Sequence, residues 1–348
     1  AKIVTGRTPG GLAQTNILAN ALFGAISGSG TAAASAMGSI IGPIEKDEGY
    51  DPNFSAAANI ATAPTGLLIP PSNVMITFSL VSGGTSVAAL FMAGYIPGAL
   101  WALACMLVVY IYAKKAGYRS QTKLTGKEKF NAFIQALPCL LLIIIVIGGI
   151  IAGVFTATEG SVVAVVYSLL LSIYGYKSMK WKDLPEIFRA SAEMTGIIIF
   201  LIGVSSIMSW VMAFTNIPTM VSNGLLSISS NKYVILLMIN IILLVVGTFM
   251  DMTPATLIFT PIFLPVCTAL GMNTIHFGIM LIFNLCIGTI TPPVGTTLFV
   301  GVKVGGVKIE TVFKHLLPYF FAIIVVLMLV TYIPQLSLWL PGLMGYVS

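Results

Sequence analysis

The stretch Thr289-Ile-Thr-Pro-Pro-Val-Gly-Thr-Thr297 interrupts an apolar run that extends from Phe277 to Val302. Its two adjacent prolines remove two helix hydrogen bonds, and the glycine and threonines beside them are poor residues for a helix interior. A second copy of the pattern, Leu67-Leu-Ile-Pro-Pro-Ser-Asn-Val-Met75, also lies inside an apolar run. The pair predicts two broken membrane helices, and a kink healed by neighbouring helices is the simpler alternative for each copy.

The composition is that of a membrane protein. Of 348 residues, 57% are hydrophobic and 8% are charged, whereas a soluble domain has about 25% charged residues. Many apolar segments, among them 193–214 and 316–340, approach the ~20 residues that a helix needs to cross a bilayer. The sequence therefore predicts an all-α polytopic membrane protein that is surrounded by lipid.

The net charge of +6 does not indicate a nucleic-acid partner, because the basic residues cluster in short loops between apolar segments. These loops are Lys114–Lys129, Lys177–Arg189 and Lys303–His315. Short basic loops are typical of the cytoplasmic side of a membrane protein. If two of the apolar pairs are re-entrant hairpins, all three loops and also Lys2 and Arg7 face the cytoplasm.

Neither an HExxH motif nor a Walker-type motif occurs in the sequence. The four cysteines have neither metal nor disulfide spacing and are interpreted as small hydrophobic residues. We expect the two histidines, His276 and His315, at the surface. An intramembrane enzyme would need a nucleophile with its base, or paired acids, so the protein is not expected to be an enzyme.

An internal repeat organises the chain. Residues 66–91 match residues 288–313 at an offset of 222, with six identities that are mostly Gly and Pro. Short apolar pairs precede both copies, and their predicted orientations are opposite. Inverted repeats with broken helices indicate a secondary transporter. The predicted division is a first repeat over 1–113 (re-entrant hairpin about 9–44, broken helix about 54–82), a basic cytoplasmic linker over 114–133, a second repeat over 134–340 (hairpin about 232–271, broken helix about 277–302) and a tail over 341–348.

Three predicted spans over 134–214 precede the second hairpin. The first hairpin has no such spans before it, and the chain opens Ala-Lys-Ile-Val. These features predict that the chain is a fragment of a longer protein.

The two breaks are the predicted binding sites. Unwound carbonyls suit a hard cation such as sodium, and the N-termini of the restarting half-helices point toward an anion. We expect the hairpin tips to meet the breaks, with Thr31 and Thr297 adding hydroxyl groups. Predicted substrate contacts are Ser27, Ser29, Ser72, Asn73, Asp251 and Thr296. Predicted sodium ligands are Ser27, Gly28, Gly30, Thr62, Gly66, Pro70, Asp251, Thr253, Gly288, Thr289, Thr291 and Pro292.

Simpler interpretations exist for several charged residues. Asp251 precedes a Pro-led helix and is a good N-cap, although an acid at membrane depth is by default a functional hypothesis. Glu159 is expected to cap or pair at a helix start, and Glu193 to lie near the inner interface. The acidic segment Glu45–Asp51 is expected to be a cytoplasmic loop. Lys303 is expected to set topology rather than to bind substrate.

Several ordered motifs resemble the large membrane subunit, of the DctM type, of tripartite ATP-independent periplasmic (TRAP) transporters. The resemblance covers nearly the whole chain and leans to the sialic acid (SiaM/SiaQM) branch. The motifs are Ala25-Ile-Ser-Gly-Ser-Gly-Thr31, Phe155-Thr-Ala-Thr-Glu-Gly160, Thr195-Gly196, Met250-Asp-Met-Thr-Pro254, Pro261-Ile-Phe-Leu-Pro265, His276-Phe-Gly278 and Gly288-Thr-Ile-Thr-Pro-Pro-Val-Gly295.

The resemblance implies a sodium-coupled importer in the bacterial inner membrane that works by an elevator motion. Its substrate would be an organic anion, such as sialic acid or a C4-dicarboxylate, handed over by a periplasmic substrate-binding protein. A small four-helix membrane subunit, separate or fused upstream, would accompany it. Two alternatives remain at this stage: a sodium/dicarboxylate symporter that needs no binding protein, and a channel.

Overall fold

The computed structural model describes residues 8–118 and 126–346. Predictions on residues 1–7, 119–125 and 347–348, including Lys2, Arg7 and part of the Lys114–Lys129 loop, lie outside this range. The described residues form helices and contain no strand. Among the helices of these described residues, six are long and apolar enough to cross a membrane, or seven if one bent pair is counted as a single span. The protein is therefore a multi-pass helical membrane protein, as its composition predicts.

The helices group into two compact units. Unit 1 comprises Ala1–Lys123 and Thr215–Ser348, and unit 2 comprises Leu124–Phe214. Residues 8–118 of unit 1 contain six helices: α1 (Gly11–Ser27), α2 (Gly30–Asp47), α3 (Pro52–Thr62), α4 (Thr65–Leu68), α5 (Asn73–Val81) and α6 (Val87–Ala116).

The first hairpin turns where its sequence contains Ser-Gly-Ser-Gly. Helix α1 ends at Ser27, and Gly28 has φ 60°, a left-handed conformation that glycine adopts without steric cost. Ser29 then caps α2, because its side chain accepts a hydrogen bond from the backbone N–H of Ala32. The two helices pack against each other, so the small polar residues form a tip rather than a helix interior.

Unit 2 consists of α7 (Gly126–Ile151), α8 (Ala157–Leu170), a π-helical turn (Leu171–Gly175), a short 3-10 turn (Trp181–Asp183) and α9 (Leu184–Phe214). Helix α8 begins with a reciprocal cap. The Thr156 side chain accepts from the Glu159 N–H, and the Glu159 carboxylate accepts from the Thr156 N–H. The expected capping role of Glu159 is confirmed.

The second part of unit 1 contains seven helices: α10 (Ile217–Ile228), α11 (Lys232–Gly247), α12 (Met252–Ala269), α13 (Thr274–Thr289), α14 (Thr296–Gly305), α15 (Ile309–Tyr332) and α16 (Gln335–Leu343). Helix α13 is buried from Ile275 to Thr289. Helix α1 packs on α4 and α11 packs on α13, while α14 packs on α2 and α5 packs on α12.

Both proline pairs interrupt helices. No helix covers residues 69–72 or 290–295. The helical pieces on either side of the first break are bent by 47°. The peptide bonds Pro70–Pro71 and Pro292–Pro293 are both cis. Each interruption is a true gap in the helix rather than a kink within one.

Four details of the sequence-based assignment are wrong. The expected single span 316–340 divides at Ile333, because a residue before proline disfavours helical torsion angles. Helix α9 begins at Leu184 rather than near 193, since hydropathy marks only the apolar part of a helix. Helix α10 was not anticipated, because 12 residues are too few to cross a bilayer. Glu45 belongs to α2 and is buried, rather than lying in a loop.

Candidate functional site

The tip of the first hairpin lies against the first break. A Cβ added to Gly28 would lie 3.3 Å from the carbonyl oxygen of Pro71 and 3.6 Å from Nδ2 of Asn73. A Cβ on Gly30 would lie 3.3 Å from Oγ1 of Thr297, which belongs to α14. The small residues of this tip therefore allow close approach both to the first break and to the helix that follows the second break.

Hydroxyl groups surround this tip. The Ser27 Oγ accepts from the Ser29 N–H at 3.4 Å, and the hydroxyls of Ser29 and Thr31 are 3.1 Å apart. Ser72 is fully buried, and its Oγ has no hydrogen-bond partner among the described residues. A buried hydroxyl without a partner is costly unless another group satisfies it, so Ser72 is a well-placed candidate ligand.

The tip of the second hairpin contacts the second break in the same way. The backbone N–H of Val294 donates to the Thr248 carbonyl at 3.1 Å. Asp251 occupies the N-cap position of α12, but its side chain makes no cap hydrogen bond. The carboxylate is exposed and forms no ion pair within the described residues. Capping alone therefore does not account for this acid, and Thr253 follows it in the first turn of α12.

Unpaired backbone oxygens occur at both breaks. Within the described chain, the carbonyl oxygens of Pro70, Pro71, Pro292 and Pro293 accept no hydrogen bond. At membrane depth such groups are tolerated only where protein, water or a ligand satisfies them. Carbonyl oxygens of this kind are suitable ligands for a hard cation.

The threonines at and beside the second break differ in their hydrogen bonds and in their burial. The Thr289 Oγ1 donates to the Cys286 carbonyl at 2.8 Å, and the Thr291 Oγ1 donates to the Ile287 carbonyl at 2.6 Å. Both hydroxyl oxygens keep lone pairs for a cation. Thr297 is buried and Thr296 is partly exposed at the start of α14.

Two predicted ligands, Gly66 and Gly288, also bring helices into close contact. A Cβ on Gly66 would overlap the backbone of Gly24, and a Cβ on Gly288 would overlap the backbone of Gly247. Each crossing joins the first arm of a hairpin to the helix just before a break. Gly66 and Gly288 thus set the approach of tip and break, and Gly24 and Gly247 are the partners that sequence reasoning did not assign to this role.

Thr62 lies in a buried amide cluster rather than at a break. Its Oγ1 accepts from Asn20 Nδ2 at 3.0 Å and donates to the Ala58 carbonyl at 2.7 Å. The same Asn20 nitrogen donates to Asn59 Oδ1. A similar cluster in the second part joins Asn240 and Asn284. Asparagines inside apolar helices were the available signal for both clusters.

His276 is buried, although the sequence predicts a position at the surface. It is only 3% exposed, and its Nε2 lies 2.8 Å from the Val330 carbonyl. His315 is partly exposed and pairs with Asp51 at 3.6 Å. Neither arrangement places a base beside a nucleophile. Among the described residues, no group of three or more His, Cys, Asp or Glu side chains could hold a metal ion.

Comparison with known proteins shows similarity along almost the whole chain. Residues 1–336 match the family described as "Tripartite ATP-independent periplasmic transporter, DctM component". The "Uncharacterized protein YgiK" of Salmonella typhimurium is 53% identical over 343 residues, which cover 99% of this chain and 79% of that protein.

Two further relatives are named for the substrates that they transport. The sialic acid TRAP transporter large permease protein SiaM of Vibrio cholerae is 36% identical over 347 residues, covering 99% of this chain and 81% of that protein. The C4-dicarboxylate TRAP transporter large permease protein DctM of Pseudomonas aeruginosa is 36% identical over 345 residues, with the same two coverages.

Proposed function

The chain belongs to the DctM component family of tripartite ATP-independent periplasmic transporters, and we propose that it imports an organic anion by coupling its entry to sodium. The substrate class is a sugar acid such as sialic acid or a C4-dicarboxylate, because relatives that are 36% identical carry those substrates in their names. The role is transport rather than catalysis.

The observation that carries this proposal is the contact of each hairpin tip with the break in its own part of unit 1. Gly28 lies against Pro71 and Asn73, and the Thr248 carbonyl binds the Val294 N–H. Tips and breaks together collect hydroxyls, an amide and unpaired carbonyls between apolar helices. Oxygen ligands of this kind suit sodium, and half-helix N-termini suit a carboxylate.

The proposed repeats are supported by matched contacts. Adding 222 to the bounds of α2 gives 252–269, the bounds of α12, and subtracting 222 from those of α14 gives 74–83, close to α5. The α2–α14 and α5–α12 packings are therefore the same contact made twice. Cys286 Sγ lies 3.9 Å from the Pro64 carbonyl at a separation of 222 residues. Equivalent residues that touch each other lie near the axis of a two-fold arrangement.

Roles for individual residues follow from their positions. Ser27, Gly28, Ser72 and Asn73 are proposed around one sodium, with Pro70 contributing its carbonyl. Asp251, Thr289, Thr291 and Pro292 are proposed around the other, and Thr253 lies in the first turn after Asp251. The substrate is proposed between the tips, where Ser29 and Thr296 can contact a carboxylate.

The proposed partners are a periplasmic substrate-binding protein and a small four-helix membrane subunit, and the proposed location is the bacterial inner membrane. Movement of unit-1 helices as one body, the elevator motion, would carry the sites across. Family membership supports this arrangement. The competing proposal is a sodium/dicarboxylate symporter that accepts free substrate.

Uptake into proteoliposomes separates the two proposals. The protein is reconstituted with its small subunit, and uptake of labelled sialic acid and of labelled succinate is measured with and without an inward sodium gradient. A binding protein is added or omitted in each arm. Our proposal expects uptake only when both the gradient and the binding protein are present. Sodium-driven uptake of free substrate would support the symporter, and gradient-independent flux would support a channel.

A further inference from the structure

A cavity of about 390 Å³ lies among α1, α2, α3 and α14 of unit 1. None of its lining residues belongs to a hairpin tip or to a break. Glycines leave space for it, because Gly38 and Gly42 of α2 and Gly301 and Gly305 of α14 contribute no side chains to its wall. In the predicted topology the ends of α2 and α14 that line it face the cytoplasm.

A buried carboxylate lines this cavity. Glu45 has no exposed surface, and neither of its oxygens has a hydrogen-bond partner among the described residues. The Ser55 Oγ and the Asn16 Nδ2, which line the same cavity, are also buried without a partner. Three unpaired polar groups around one space are costly unless something occupies that space.

Oxygen atoms predominate among the groups that could bind a ligand here. Asn16 and Asn59 direct side-chain oxygens to Asn20 Nδ2, and each of these oxygens keeps a second lone pair. With the Glu45 carboxylate and the Ser55 hydroxyl they form a set of hard oxygen ligands. One carboxylate among neutral oxygens suits a monovalent cation, because calcium sites commonly use several carboxylates.

The charges around Glu45 leave its own charge unbalanced. Burial is the main cause that raises the pKa of Glu45 to about 7; the nearby Ser55 hydroxyl opposes this rise, and the Glu48 carboxylate adds to it. Lys46 lines the cavity but is exposed, and no ion pair to Glu45 occurs within the described chain. The other titratable groups facing it are Tyr50 and, from α15, Tyr319.

We propose that this cavity is a monovalent cation site in which the Glu45 carboxylate and the Ser55 hydroxyl bind sodium, directly or through water, in competition with a proton. The site is separate from the two breaks and does not depend on the function proposed for them. A bound cation supplies the counter-charge that the buried carboxylate otherwise lacks.

The sign of the pH effect follows from the ionisation of Glu45. Above pH 7 the carboxylate is charged and can bind sodium, and below pH 7 it is protonated and cannot. The ionised fraction of such a group falls about tenfold between pH 8 and pH 6. The apparent sodium affinity of this site is therefore expected to fall about tenfold over the same interval.

Equilibrium binding of radioactive sodium to the purified full chain in lipid nanodiscs tests the proposal. Binding is measured at pH 6 and pH 8, with choline chloride maintaining the ionic strength. Wild type should bind more sodium at pH 8 than at pH 6, and Glu45→Gln, which resembles the protonated side chain, should lack this pH-dependent component of sodium binding. Ser55→Ala should lower the sodium affinity of that component. The matched control is Asp47→Asn, which makes the same charge change on the exposed side of α2 and should leave it intact.

Two outcomes would overturn the proposal: sodium binding by wild type that does not depend on pH, or the same pH dependence in Glu45→Gln as in wild type. Thermal melting of each variant in choline chloride verifies folding. Asp251→Asn separates this site from the breaks, because it should retain the pH-dependent component even if it loses sodium-driven transport.

Discussion

Unit 1 and unit 2 use apolar helices in different ways. In unit 1, 39% of the residues in the most apolar stretch of α6 and 44% of those in α12 are buried within the protein. In unit 2 the corresponding share is 6% for the span that begins with α8 and 6% for the span that contains α9. Unit 1 also contains both proline breaks, and unit 2 contains none. The comparison teaches that interrupted helices occur where other helices surround them.

The physical reason is the cost of unpaired backbone groups. An unbroken helix satisfies its own hydrogen bonds and can face lipid directly, as the exposed side chains Val162, Phe200 and Trp210 of unit 2 indicate. A broken helix leaves carbonyls unpaired and needs neighbours, water or a ligand. The breaks of unit 1 are therefore the places where a polar cargo can replace a missing hydrogen bond.

The largest expected effect is at the two helix crossings where Gly66 meets Gly24 and Gly288 meets Gly247. It tests whether unit 1 depends on close helix packing that unit 2 lacks. Gly66→Ala and Gly288→Ala place a Cβ into the opposing backbone. Overpacking of this kind costs roughly 1–3 kcal/mol or more. We expect a lower melting temperature and loss of transport in proteoliposomes.

The matched control is Gly203→Ala in α9, where an added Cβ meets no atom within 4 Å. Alanine is favoured over glycine inside a helix by about 0.5–1 kcal/mol. This variant should be at least as stable as wild type. If all three variants had the same melting temperature and the same transport activity, the comparison between the units would be contradicted.

The second effect concerns the charge at the second tip. Because the Asp251 side chain makes no cap hydrogen bond, Asp251→Asn should leave the melting temperature unchanged. The variant should need about tenfold more sodium for half-maximal uptake, which corresponds to about 1.4 kcal/mol. Glu193→Gln, a charge change in unit 2, should behave as wild type. Wild-type sodium activation of Asp251→Asn would remove this residue from the proposed site.

A third, smaller effect is expected at the first tip, which has no carboxylate. Ser27→Ala and Asn73→Ala each remove one neutral ligand, which is partly exposed in Ser27 and exposed in Asn73, at a cost of about 1 kcal/mol. Sodium-dependence curves of uptake should shift to higher concentration. Ser206→Ala in α9 removes a hydroxyl that bonds only within its own helix and serves as the control. If the control shifts equally, the effect does not report on the tip.

The smallest effect is at the cap of α8. Thr156→Ala removes a reciprocal cap in unit 2, and loss of such a cap costs about 1 kcal/mol. We expect a slightly lower melting temperature by circular dichroism and unchanged sodium activation of uptake. A changed sodium dependence would show that unit 2 contributes to the coupling that we place in unit 1.

Sequence reasoning located the features that are local. Gly28 and the proline pairs interrupt helices through their own backbone properties, so the tip and both breaks could be predicted from residue types. Helix ends that depend on neighbours were predicted less well. Helix α9 continues through Glu186 and Arg189, and the expected span 316–340 ends at Ile333, because hydropathy reports composition and not where hydrogen bonding stops.

Long-range partners could not be derived from residue types. Gly66, a predicted ligand, packs against Gly24, 42 residues earlier. Thr62, another predicted ligand, joins Asn20 in a buried cluster. His276, expected at the surface, is buried against Val330. Each of these outcomes depends on which helices pack together.

The sequence by itself determined that this is a helical membrane protein with two interrupted helices and two polar tips, since apolar length, proline and glycine act through local physics. Only the tertiary structure decided which tip meets which break, that Glu45 lies in a cavity rather than in a loop, and that glycines face each other at the crossings. Those features arise from contacts between residues far apart in the chain, which depend on the packing of whole helices and leave no local signal.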